Sequence, residues 1–170
     1  MNRVHRLSAV VALALAFASS PILAGDPLGN ATVSFGQWMS SPPLDRYPNF
    51  GGSPTTNVHA MTPNMVTIRA GGSVNFIVSG LHNIQVYDDG VTPTDINIAL
   101  TTPTTSATPP VLPIVNDPNR RIYRGVDPTL QSRDRVEVVN FSNPGTYLVI
   151  CGVLPHFVGG MYGYVRVLPN

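Results

Sequence analysis

Along most of this 170-residue chain apolar and polar side chains alternate with a period of two, and Gly and Pro punctuate the alternation. That pattern favours half-buried strands over helices. Val33, Ser34 and Phe35 alternate, as do residues 65–69, and 73–79 place Val74, Phe76 and Val78 on one face. Gly71 and Gly72 are read as the turn of a hairpin joining those last two strands. The pattern returns at 82–87, 135–141, 146–151 and 162–168, with Asn143, Pro144 and Gly145 marking a tight turn. Many short strands separated by such turns imply an all-β sandwich of two sheets.

Two segments exceed a minimal sandwich. Residues 40–62 are rich in Pro, Gly, Ser and Asn, follow Trp38 and contain His59, and read as a long loop. Residues 90–118 are dominated by Thr and Pro, a density that prevents an interior strand over most of their length. They are expected to form a surface excursion linking the two sheets, with a short helix or edge strand near 96–100.

Residues 1–24 begin with Arg3 and Arg6, continue through an apolar run at 7–17 and end in Ile22, Leu23 and Ala24, which reads as a secretory signal peptide. The run is shorter than the roughly 18–20 residues that span a bilayer, so no stable membrane insertion is expected. The remainder, 25–170, is the length of one domain, and the expected location is exported, periplasmic or extracellular. Removing Arg3 and Arg6 takes the formal charge from +1 to −1, which excludes nucleic acid as an obvious partner. Arg120, Arg121, Arg124, Arg133 and Arg135 crowd one region with Asp127 and Asp134 and are read as a solvated loop.

Export exposes cysteines to oxidation, yet Cys151 is the only one in the chain. His156 follows it after four residues and Met161 after four more, while His82 lies upstream. A thiolate, two imidazoles and a weak thioether make a compromise between the sulfur preference of cuprous ion and the nitrogen preference of cupric ion, the set of an electron-transfer copper. Gly152, Gly159 and Gly160 give the intervening loop room to turn. His59, Met61 and Met65 are read as loop and core residues rather than an extra cuprous site.

These residues resemble the cupredoxin family of small blue-copper proteins. The resemblance rests on Gly80-Leu81-His82-Asn83, on Pro144-Gly145-Thr146-Tyr147 leading into the cysteine strand, and on the Cys-x4-His-x4-Met loop, and spans roughly 65–168. The loop spacing is similar to azurin-like and rusticyanin-like members. Ile150 stands where plastocyanins place a tyrosine, and Leu81 where azurins have a glycine. The resemblance implies a Greek-key β-sandwich and one type-1 copper on His82, Cys151, His156 and Met161, with Asn83 tying the two ligand loops together. It implies no enzyme activity. After removal of the leader only His59, His82 and His156 remain, too few for the further copper centres of an oxidase. Val153, Pro155, Phe157 and Val158 are expected to form an apolar docking surface around His156, the electron port, for transient redox partner proteins. Copper delivery or storage without a redox partner is the alternative reading.

Overall fold

The computed structural model describes residues 28–36, 59–103, 112–132 and 134–170. The leader expected at 1–24, Trp38, most of the loop expected at 40–62, Arg133 and most of the Thr/Pro run lie outside the described residues. Eleven strands are present among them: β1 (Asn30–Gly36), β2 (Met61–Thr62), β3 (Met65–Arg69), β4 (Gly72–Ser79), β5 (Ile84–Asp89), β6 (Thr101–Pro103), β7 (Pro113–Val115), β8 (Arg121–Arg124), β9 (Asp134–Phe141), β10 (Gly145–Cys151) and β11 (Tyr162–Leu168). One helical turn, α1 (Leu154–Val158), separates the last two.

Period two decides which faces meet. Val74, Phe76 and Val78 of β4 are fully buried while Ser73, Asn75, Ile77 and Ser79 are only partly covered, so β4 turns one face inward. Its sheet runs β2-β1-β4-β9, and it packs on a second sheet, β3-β11-β10-β5-β8. The main core between them includes Phe35, Phe76, Ile84, Val86, Val149 and Val165. Phe35 and Phe76 meet edge to face, with ring centroids 6.0 Å apart. This is the all-β Greek-key sandwich that the sequence predicts.

β10 departs from half-burial, because Tyr147 to Cys151 are all buried. Tyr147, Val149 and Cys151 face the main core, whereas Leu148 and Ile150 face a second cluster with Tyr87, Val91, Ile96, Val115 and Phe157. That second core corrects the reading of residues 90–118. They leave from β5 and return to β8, two neighbours in one sheet, so the segment does not link the sheets. Its described residues, 90–103 and 112–118, fold over the sheet's outer face instead. Gln85 Nε2 donates to the Val115 carbonyl at 2.6 Å and the Tyr87 hydroxyl to the Asp117 carbonyl at 3.0 Å, fastening it down. Its regular pieces flank residues 96–100: a 3-10 turn at Pro93–Asp95, and β6, which pairs with β7.

Gly71 and Gly72 are likewise no hairpin turn. β3 pairs in parallel with β11, and β4 pairs with β1 and β9, so the chain crosses between sheets there. The alternation of each strand was readable, but its pairing partner lies far away in the chain.

Phe76→Ala should destabilise the protein by about 3–5 kcal/mol, as removal of a fully enclosed aromatic ring generally does. Urea unfolding followed by circular dichroism measures it, and a cost under 1 kcal/mol would contradict this core.

Candidate metal centre

Cys151 ends β10 and pairs with Ile84, the first residue of β5. This register sets the last turn before β5 beside the thiol. Gly152 N–H donates to the Asn83 carbonyl at 2.6 Å, joining the two ligand segments through the backbone. Downstream, Val153 caps α1, Pro155 stands in its first turn, and the His156 and Phe157 amides bond the Val153 carbonyl at 2.9 and 3.1 Å. The turn closes back on the strand: Met161 N–H donates to the His156 carbonyl, and Cys151 N–H to the Met161 carbonyl. Gly160, at φ 95°, takes the left-handed conformation that this return requires. Gly152 is needed for space, since a side chain there would strike the Asn83 and Gln85 amides.

Three donors converge. Cys151 Sγ lies 3.6 Å from Nδ1 of His82 and 3.6 Å from Nδ1 of His156, and the two Nδ1 atoms are 3.2 Å apart. The point equidistant from all three is about 2.0 Å from each, close to metal–imidazole (~2.0–2.1 Å) and metal–thiolate (~2.3 Å) bond lengths for a divalent ion such as zinc. The residues therefore suit a small transition-metal ion, and one sulfur with two imidazoles suits copper. Met161 is fully buried in the same core cluster as Cys151.

The surroundings keep the donors ready. His82 Nδ1 faces the thiol, and the Ser79 backbone interacts with the same ring and helps to orient it. Gly36 leaves the room for that ring, because a Cβ there would lie 2.7 Å from Nε2. Burial lowers His82 to about 3, with the neighbouring imidazoles and Arg135 adding to the effect, and burial lowers His156 to about 4. Burial raises the Cys151 thiol to about 12, partly offset by backbone hydrogen bonds from Asn83 and Val153 and by the Arg135 charge. A metal must therefore displace the thiol proton but finds both imidazoles neutral.

The structure places the remaining sequence-derived residues unevenly. The Asn83 side chain does not bond the cysteine loop; its Nδ2 donates to the Gly125 and Val126 carbonyls, while its backbone makes the tie to Gly152. Val153 is 0% exposed and Phe157 only 6%, so neither forms a docking surface as the sequence suggested; both are wall. Pro155 is exposed and Val158 is 66% exposed. Met61 is core and Met65 exposed, as loop-and-core residues should be.

Two residues were missed. Arg135 is no solvated loop residue: its Nη2 donates to the His82 carbonyl at 2.8 Å and its Nε to Glu137 Oε1 at 2.7 Å, and Glu137 Oε2 accepts the Tyr123 hydroxyl. The signal was available, since Arg135 and Glu137 occupy the same alternate positions as Val139 and Phe141, and paired charges are what an inward strand face tolerates. The other is His59. Its ring stacks on His156 with centroids 3.8 Å apart, and no local pattern announces that contact.

No protein-family model matches the chain, and no curated protein matches it. Among solved structures it is similar to a reduced auracyanin from the photosynthetic bacterium Roseiflexus castenholzii, at 20% identity over 83% of this chain and 98% of that one, with a TM-score of 0.47. A mutant fern plastocyanin matches at 19% identity over 81% and 99%, TM-score 0.42, and a pseudoazurin from Hyphomicrobium denitrificans at 19% over 81% and 74%, TM-score 0.40. At this identity and overlap the likeness does not say what this chain binds. The donor triangle is the stronger guide.

Metal-free protein should lose stability in acid. His82 takes up a proton near pH 6.5 when unfolded but only near 3 when folded, so stability present above 6.5 is lost as pH falls through that window, at up to about 1.4 kcal/mol per pH unit from His82. His156 acts in the same direction. Cys151 acts oppositely in base, where stability present below pH 9 is lost as pH rises toward 12. Urea midpoints from pH 4 to 10 measure both limbs, and the acid slope should shrink in His82→Gln.

Proposed function

We propose that this chain is an exported electron carrier of the cupredoxin kind, holding one type-1 copper on His82, Cys151 and His156 with Met161 as a weak fourth donor. The observation that carries the reading is the triangle of two Nδ1 atoms and one thiol at 3.2, 3.6 and 3.6 Å, with the thiol and His82 buried and His156 half-buried. Bound there, copper supplies a one-electron couple. The protein supplies the rest.

Cys151 and His82, at 0% and 3% exposure, keep water from the centre, and backbone hydrogen bonds fix both in place. A rigid donor set intermediate between the preferences of the two oxidation states reduces rearrangement on electron transfer. Arg135 holds a positive charge beside the His82 carbonyl, which disfavours the more highly charged oxidised state and favours a higher potential. Half-buried His156 is the port, next to exposed Pro155 and Val158. A shallow groove lined by Ile96, Ile98, Val158 and Tyr162 continues that apolar rim, suited to a weak, transient encounter with a redox protein. Among the described residues no helix is long and apolar enough to cross a membrane. The signal-peptide pattern at 1–24 supports export, and no substrate chemistry is assigned to the site.

Residues 25–170 loaded with cupric ion should show an intense visible thiolate-to-copper band that bleaches on reduction and returns on oxidation. Cys151→Ala should abolish the band, and Met161→Gln should keep it while lowering the potential. Visible and electron paramagnetic resonance spectra with voltammetry decide the matter. A colourless one-copper protein, or a Cys151→Ala variant that keeps the band, would sink the proposal. Rapid loss of cuprous ion to a chelator without reversible colour would favour delivery instead.

A further inference from the structure

His59 lies two residues before β2, whose Met61 pairs with Phe35, and the Gly36 amide donates to the Ala60 carbonyl at 2.9 Å. The strand thus delivers His59 to the centre. Its ring is stacked on His156, with planes 21° apart, and its centroid is 5.5 Å from that of His82. A nitrogen of each of these three rings lies within 4.8 Å of those of the other two. Exposure falls inward along the series: His59 is exposed, His156 half-buried, and His82 and Cys151 buried.

Three imidazoles beside one thiol, graded from exposed to buried, have a use that two do not. Cupric ion prefers nitrogen donors, and an imidazole set is complete without sulfur. The buried thiol lies behind them.

We propose that His59 is a capture ligand: turned out of its stack on His156, it completes with His156 and His82 an all-imidazole set for incoming cupric ion, and Cys151 then takes the place of His59. In that exchange the His59–metal bond breaks and the Cys151–metal bond forms. The thiol proton leaves to solvent, and the ion keeps its oxidation state. His59 afterwards rests against His156 and is no part of the final donor set. The inference builds on the single-copper reading given above, but the three-imidazole set is testable without the thiol.

Two measurements on residues 25–170 test it. In Cys151→Ala, titration with cupric or zinc ion should occupy one site and perturb the ring resonances of His59, His82 and His156 together, with zinc giving the readable spectra. Adding His59→Ala should weaken that binding at least about tenfold, the lower end of what losing even an outer partner of a metal costs. In stopped flow, the chain with Cys151 intact should pass through a weakly coloured all-nitrogen species before the thiolate band grows. His59→Ala should lack that species and colour at least about tenfold more slowly, while reaching the same final band and stoichiometry. Equal affinities and equal rates overturn the inference, and so does an altered final band, which would make His59 a permanent ligand. A protein that never colours sinks the type-1 assignment, and the Cys151→Ala titration still decides on the imidazole set.

Discussion

The antiparallel register of β5 with β10, in which Cys151 lies opposite Ile84, is the constraint on which the rest of this molecule depends. It sets His82 and Asn83 against the end of the cysteine strand, where the Gly152 amide closes on the Asn83 carbonyl. Shifting the pairing by one residue would exchange the faces of the strand, sending Cys151 to the outer core and Ile150 to the inner. A slip would have to repack both faces at once, since Val149 and Cys151 belong to one core and Leu148 and Ile150 to the other. The described parts of the insertion, 90–103 and 112–118, therefore help hold Cys151 in register with the turn that carries His82.

The same arrangement explains a buried ion pair beside an apolar site. A paired guanidinium and carboxylate are costly to remove from water and seldom add net stability compared with hydrophobic residues. Arg135 and Glu137 occupy inward positions nonetheless, because the His82 carbonyl and the Tyr123 hydroxyl need partners there. Their return is positional: the turn carrying His82 is tied to β9 in the opposite sheet. A positive charge then stands beside the donor triangle, and in the proposed copper carrier it would favour the reduced state.

Much of this was legible in the chain. The strands at 65–69 and 162–168 coincide with β3 and β11, because their alternation is a local property that survives any pairing. That His82, Cys151 and His156 should converge was legible from residue type and from the five-residue step between the last two, and the structure brings them together. The hairpin expected at Gly71 and Gly72 was not correct, since two glycines mark a change of direction without saying into which sheet. Phe157 and Val153 were mistaken for surface because a short apolar run looks the same whether it lines a rim or plugs a core.

By itself the sequence determined the alternation of the main strands and the Cys-x4-His-x4-Met spacing that lets one loop bend back on its strand. Those depend on side chains close together in the chain, where geometry is nearly fixed. Tertiary structure alone decided that the insertion roofs the outer face, that Arg135 reaches a carbonyl 53 residues away, and that His59 stacks on His156. Each is a meeting of distant segments, settled by which apolar faces could be buried together. No local pattern records it.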